Sequence, residues 1–196
     1  MMTIPTGELG PVLLRAEQLK QRIDELGEEI SGDYDGLDPL FVGILKGSAV
    51  FAADLARAVT IPLSMDWVSL STYGIGSTAR AVRLRKGLDR EINDRHVLVV
   101  DDILDTGTTL HWLLEYLSSQ APASLESCVL LRKSDSVVKP VRPRYVGFDI
   151  SENLVAGYGI DYAEHYRNMP HICSVRVPEI VVGTAVCGVP EAGHLR

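Results

Sequence analysis

Apolar residues recur along this chain in two periods, one helical and one extended, and the two alternate. Leu19, Ile23, Leu26 and Ile30 share one face at helical spacing, and Gly32 offers a stop. Leu40–Leu45 (LFVGIL) reads as a short buried strand, followed by a helix over Ser48–Val59 capped by Ser48. Leu63–Leu70 is strand-like, Ser71–Thr78 is a loop rich in Gly, Ser and Thr, and Ala81–Arg85 returns as a half-exposed strand. His96–Asp101 is a strongly apolar strand ending in acid, and Thr108–Leu117 is the helix after it. Glu126–Leu131, Arg144–Ile150, Leu154–Gly157 and Ile172–Val177 complete the strands, with a helical turn over Asp161–Arg167. Residues 1–12 read as a loose lead-in and 183–196 as a mobile tail outside a single domain over 1–182.

Strands alternating with helices predict an α/β fold with a mainly parallel twisted sheet flanked by helices on both faces. A hydrophobic fraction of 46% and a charged fraction of 23% fit an ordinary globular domain. The formal net charge of −7 argues against nucleic-acid binding, which calls for a basic patch. Three cysteines without close pairing predict neither a disulfide framework nor a zinc site. The N-terminus carries no signal-peptide pattern and no apolar run reaches membrane-spanning length, so the expected location is cytoplasmic, with no membrane partner.

The chemistry concentrates in Val97–Leu110 (VLVVDDILDTGTTL). Four apolar residues end at Asp101 and Asp102, and Asp105-Thr106-Gly107-Thr108-Thr109 then turns into a helix. Ligands of open α/β sheets bind at the carboxyl ends of strands. A glycine turn at a helix N-terminus presents N–H groups and partial positive charge, and the threonine hydroxyls add donors, so the unit reads as a monophosphate cradle. It is not a Walker A loop, because no G-x-x-x-x-G-K-[ST] run occurs. Two adjacent carboxylates need something positive or hydroxylic between them, and ribose hydroxyls or hydrated magnesium both suit. Gly74–Ala79 matches G-x-G-x-x-A, but the stretch after it looks extended rather than helical, so dinucleotide binding is rejected. The five histidines form no credible metal cluster.

This stretch resembles the diphosphoribose-binding signature of the type I phosphoribosyltransferases. LKGS at Leu45–Ser48 resembles that family's pyrophosphate loop, STYG at Ser71–Gly74 its mobile loop, and LLRK at Leu130–Lys133 its purine-reading strand end. YVGFDI and LVAGYGIDYAEHYRN at Leu154–Asn168 resemble its base-binding and second-metal segment. The segments stand in family order over roughly residues 12–177, and together they are similar to the hypoxanthine-guanine (6-oxopurine) branch.

The resemblance implies a small hood from residues about 12–18 and 150–177, magnesium as cofactor, and a homodimer or homotetramer. It implies that Asp101 and Asp102 hold the ribose hydroxyls, partly through magnesium, and that Asp105, Thr106, Gly107, Thr108 and Thr109 bind the 5′-phosphate. Asp105 is the implied general base at purine N7. Lys46, Gly47 and Arg167 approach pyrophosphate, Lys133 donates to the 6-oxo group, and Leu154 and Val155 border the base. Asp161 takes a second magnesium beside the purine, Thr72 and Tyr73 belong to the mobile loop, and the Leu45–Lys46 peptide is cis. The implied reaction is transfer of phosphoribose from 5-phosphoribosyl pyrophosphate to hypoxanthine or guanine. Two alternatives stand beside it: a xanthine-preferring relative, and an RNA-binding regulator of pyrimidine genes with the same fold. Two departures are visible. Asp101-Asp102 replaces the branch's frequent Glu-Asp, and Leu154 stands where an aromatic residue usually stacks on the purine.

Overall fold

In the computed structural model, which describes residues 7–73, 81–133, 136 and 138–177, β5 (His96–Leu104) lies inside the main sheet with its carboxylates at one edge. The other elements in chain order are β1 (Glu8–Leu14), α1 (Ala16–Asp33), β2 (Leu40–Leu45), α2 (Ala49–Ala58), β3 (Ser64–Tyr73) and β4 (Ala81–Lys86). After β5 come α3 (Thr108–Ser118), β6 (Ser124–Arg132), β7 (Tyr145–Asp149), β8 (Val155–Ala156) and β9 (Ile172–Arg176). Among the described residues the main sheet has six strands in the order β4-β3-β2-β5-β6-β7. Every pairing in it is parallel except β3 with β4 at the edge.

From β2 the sheet grows outward to β3, and from β5 it grows the other way through β6 to β7. The strand order therefore reverses between β2 and β5, and the crevice of such a sheet opens above that junction, at the carboxyl ends of the strands. Lys46-Gly47 follows β2 and the Asp105–Thr109 run follows β5, so the two chemically richest loops flank one crevice.

Two cores sandwich the sheet. Leu19, Ile23, Leu26 and Ile30 of α1 join Phe51 and Leu55 of α2 on one face. Leu110, Leu113 and Leu117 of α3 pack on the other. Each fully buried aliphatic side chain here contributes about 1.5–3 kcal/mol. Cys128 and Cys173 are free thiols buried in this packing. No described helix is long and apolar enough to cross a membrane.

Several elements differ from the sequence reading. α1 runs through Gly32 to Asp33, because Tyr34 N–H still finds the Ile30 carbonyl at 3.0 Å. Part of the lead-in is strand β1, which gains its backbone partners from β9 far along the chain. Ser71–Tyr73 extends β3, since β4 supplies a ladder up to Tyr73. Ser48 precedes α2, yet its hydroxyl donates back to the Ile44 carbonyl at 2.7 Å instead of capping the helix. Asp161–Arg167 is not helical. Ala163, Glu164 and Tyr166 hold positive φ, and Tyr162 bridges His165 in a tight turn. β1, β8 and β9 form a separate three-stranded sheet. The 183–196 tail and the 74–79 glycine segment lie outside the described residues.

Candidate active site

The parallel ladder drives β5 to its end beside β2 and β6, so Asp101 and Asp102 arrive side by side in the crevice. Asp101 is buried and Asp102 partly exposed. Asp102 N–H donates to Asp101 Oδ1 at 3.0 Å, and Ile103 N–H donates to Asp102 Oδ1 at 3.0 Å. Neither makes a salt bridge among the described residues. Burial, then the Asp102 charge, pushes Asp101 well above the usual carboxylate range. Burial raises Asp102 as well, opposed by hydrogen bonds and by the Arg167 charge. A hydrogen-bonding hydroxyl or a cation would relieve this pair.

Gly107 begins α3 at φ +79°, a left-handed conformation that glycine adopts without strain. The turn closes with Thr106 Oγ1 donating to Thr108 Oγ1 at 3.1 Å, and the Thr106 carbonyl accepts from Val138 and Lys139 N–H. Thr108 N–H makes a long bond to Thr106 Oγ1 at 3.4 Å, and the first N–H groups of α3 have no helical acceptors, a ready anion cradle.

The loop after β2 crosses in front of the carboxylates. The Leu45–Lys46 peptide is cis. A Cβ on Gly47 would collide with the Asp102 carboxylate, so only glycine lets the backbone pass so close. A Cβ on Gly159 would likewise strike the Gly47 carbonyl, which places the Gly157–Ile160 turn against the same loop. Arg167 NH1 donates to the Gly159 carbonyl at 2.9 Å, and its NH2 pairs with Asp161 Oδ1 at 2.7 Å. Glu164, which the sequence reading missed, pairs with Lys46 Nζ at 2.9 Å and lies 3.6 Å from Arg167. No local pattern singles out Glu164; only the fold brings it to both cations.

At the other end of the crevice Lys133, nearly buried, lies 3.4 Å from Asp105 Oδ2 and donates to the Asn153 carbonyl at 2.7 Å. Asn153 directly precedes Leu154 and Val155 in the chain. Val155 is buried, whereas Leu154 is 42% exposed and its carbonyl accepts from Val175 N–H. Thr72 and Tyr73 end β3, and their side chains lie outside the described residues.

Among the described residues no three His, Cys, Asp or Glu side chains gather as a metal cage. Magnesium does not need one, since it takes one or two carboxylates with substrate phosphates and water. The Asp101–Asp102 pair suits it better than Asp161, whose two oxygens already hold Arg167 and the Glu164 N–H. A cavity of about 710 Å3 lies behind the Gly157–Ile160 turn and against α1 and α2; Arg167 borders it, but none of Asp101–Thr109 does. The chemistry follows the carboxylates and backbone donors, not that hollow.

The Phosphoribosyl transferase domain model matches residues 12–163. The hypoxanthine-guanine phosphoribosyltransferase of Mycobacterium tuberculosis is 46% identical over 173 residues, covering 85% of this chain and 86% of the relative. The hypoxanthine phosphoribosyltransferase of Escherichia coli is 42% identical over 167 residues, covering 84% and 94%. A crystal structure of a hypoxanthine-guanine phosphoribosyltransferase from Bacillus anthracis superposes with a TM-score of 0.81 at 39% identity, covering 87% of this chain and 99% of that one.

Proposed function

This chain belongs to the phosphoribosyl transferase domain family, and we propose that its crevice divides the work of one reaction among the residues just described. The protein is a purine-salvage enzyme, a pentosyltransferase that moves the phosphoribosyl group to hypoxanthine or guanine. The donor is 5-phosphoribosyl pyrophosphate. The bond from the ribose anomeric carbon to the diphosphate oxygen breaks, and diphosphate leaves with the electron pair. A purine nitrogen bonds to that carbon, and the purine gives up one proton.

One observation carries the assignment of residues: Asp105 follows the acid-rich strand, opens the turn into α3 and lies 3.4 Å from Lys133, so a single carboxylate stands between the anion cradle and that lysine. Thr106–Thr109 and the start of α3 receive the 5′-phosphate. Asp101 and Asp102 take the ribose hydroxyls and would hold magnesium, with Asp161 the weaker candidate for a second ion. Magnesium, when bound, offsets charge on the departing diphosphate. Lys46, the Gly47 backbone and Arg167 meet that diphosphate, displacing Glu164 from the two cations. Asp105 accepts the proton at purine N7.

Lys133 donates to the 6-oxo oxygen. It would face the 6-amino group of adenine with donor against donor, and a site built on hydrogen bonds rejects such a mismatch strongly. Val155 offers main-chain groups to the base edge, Leu154 covers its face, and β1, β8 and β9 form the hood beside them. Thr72 and Tyr73, at the end of β3, are assigned to the substrate side of the crevice. The assembly proposed is a homodimer or homotetramer, which light scattering reads directly.

The test is a panel of hypoxanthine, guanine, xanthine and adenine with 5-phosphoribosyl pyrophosphate and magnesium, following nucleotide and pyrophosphate together. Nucleotide from hypoxanthine or guanine but not adenine is expected. Product from xanthine alone would move the specificity, and product from no base would end the proposal.

A further inference from the structure

Asp54 and Tyr158 belong to none of the substrate-binding groups above, yet they join the two walls of the diphosphate end. The Tyr158 hydroxyl donates to Asp54 Oδ2 at 2.5 Å across 104 positions of sequence. Asp54 lies on α2, the helix that rises directly from the Lys46-Gly47 loop. Tyr158 lies in the turn that carries Gly159, and Gly159 is bonded both ways to Arg167: its N–H donates to the Arg167 carbonyl at 3.0 Å and its carbonyl accepts from the guanidinium. Tyr158 N–H also holds the Met169 carbonyl at 2.8 Å, so the turn and the Arg167 segment move together.

Tyr158 and Ile160 bury their side chains in the core shared with α1 and α2, but the packing beside Tyr158 is incomplete. The cavity of about 710 Å3 opens there, lined by Asp54, Arg57, Tyr158, Arg167, Met169 and Pro170 among others. Tyr158 sits at φ +52°, where a side chain of this size stays only if its surroundings hold it. Beside that hollow the phenol bond to Asp54 ties the turn to α2 by a charge-assisted contact.

We infer that Asp54 and Tyr158 are positioning residues for the diphosphate: their hydrogen bond sets the spacing between the Lys46-Gly47 loop and Arg167. The inference rests on the reading that those three residues bind diphosphate. The effect of Asp54 and Tyr158 falls chiefly on one substrate, because Lys133 and Asp105 at the purine end are held separately through Asn153, and Val155 is fixed by the pairing of β8 with β9.

The experiment is steady-state kinetics with each substrate varied in turn, with thermal melts, on Tyr158→Phe, Asp54→Asn, Asp54→Ala, Arg167→Ala and the Tyr158→Phe/Arg167→Ala pair. Tyr158→Phe should raise KM for 5-phosphoribosyl pyrophosphate about fivefold to tenfold while purine KM stays within about twofold. Asp54→Asn keeps an acceptor and should lose less than Asp54→Ala. Adding Tyr158→Phe to Arg167→Ala should cost nothing further, because both act through one group. If Arg167→Ala raises that KM and Tyr158→Phe does not, the positioning role is wrong and the reading of the diphosphate site stands. If Tyr158→Phe raises both KM values alike, or lowers only the melting temperature, the bond is a structural brace and the inference falls. If Arg167→Ala leaves the KM unchanged, the diphosphate reading itself fails and takes this inference with it.

Discussion

Lys133 Nζ lies 3.4 Å from Asp105 Oδ2, so the cation proposed to read the purine and the carboxylate proposed to take its proton are already one ion pair. In that proposal a 6-oxopurine entering between them would offer an acceptor to the lysine and a proton to the acid. Asp105→Asn keeps the shape and removes the proposed base. It should lower kcat by about 100- to 10,000-fold and change 5-phosphoribosyl pyrophosphate affinity far less. Single-turnover rates beside a titration of that substrate separate the two effects, and wild-type turnover would place the base elsewhere.

Gly47 tests the close passage of the loop over the carboxylates. A methyl group there meets the Asp102 carboxylate, so Gly47→Ala must push either the loop or the acid aside. Misplacement by about 1 Å costs roughly 100-fold in catalysis, and kcat/KM for 5-phosphoribosyl pyrophosphate should fall by about that much. A structure-neutral result in circular dichroism with this kinetic loss is the expected pair of readings. Unchanged kcat/KM would mean that the loop stands off the acids in solution.

The acid pair should trade stability for function. Asp101 holds its proton more tightly folded than unfolded, first because it is buried and then because Asp102 is charged. As pH rises from the ordinary value of 3.8 through the raised folded value, the unfolded chain releases its proton first. The folded state then binds more protons, so stability falls across that window. Asp101→Asn removes this loss. Its melting temperature at neutral pH, without magnesium or substrate, should exceed that of the wild type, and the difference should vanish near pH 3 while activity drops. Melts from pH 3 to 8 check the sign, and a less stable variant at neutral pH would contradict it.

Leu154 is 42% exposed beside the buried Val155, so a larger side chain has room there. Base–aromatic stacking is worth roughly 1–3 kcal/mol, of which leucine recovers the dispersion part without a flat π-face. Leu154→Phe should tighten purine binding by up to about tenfold. It should leave 5-phosphoribosyl pyrophosphate unaffected. Calorimetric titration of both ligands into both proteins decides it, and weaker purine binding would show a pocket shaped around leucine.

Contiguous chemistry was legible from the sequence alone. Val97–Thr109 carries its strand, its acids, its turn and its helix start within one short run, and each piece follows from local periodicity and backbone preference. The stripe of Leu19, Ile23, Leu26 and Ile30 was legible for the same reason, because a helix brings neighbours in sequence onto one face. What the tertiary structure decided rests on partners far apart. β1 exists because β9 pairs with it, and Ser71–Tyr73 is strand because β4 returns alongside. The turn through Tyr158, Ala163, Glu164 and Tyr166 holds left-handed backbone at non-glycine residues, which intrinsic preference disfavours and only the surrounding contacts can impose. The pairings of Glu164 with Lys46 and of Tyr158 with Asp54 span more than a hundred positions, and no local rule couples such residues until the sheet brings their loops to one edge.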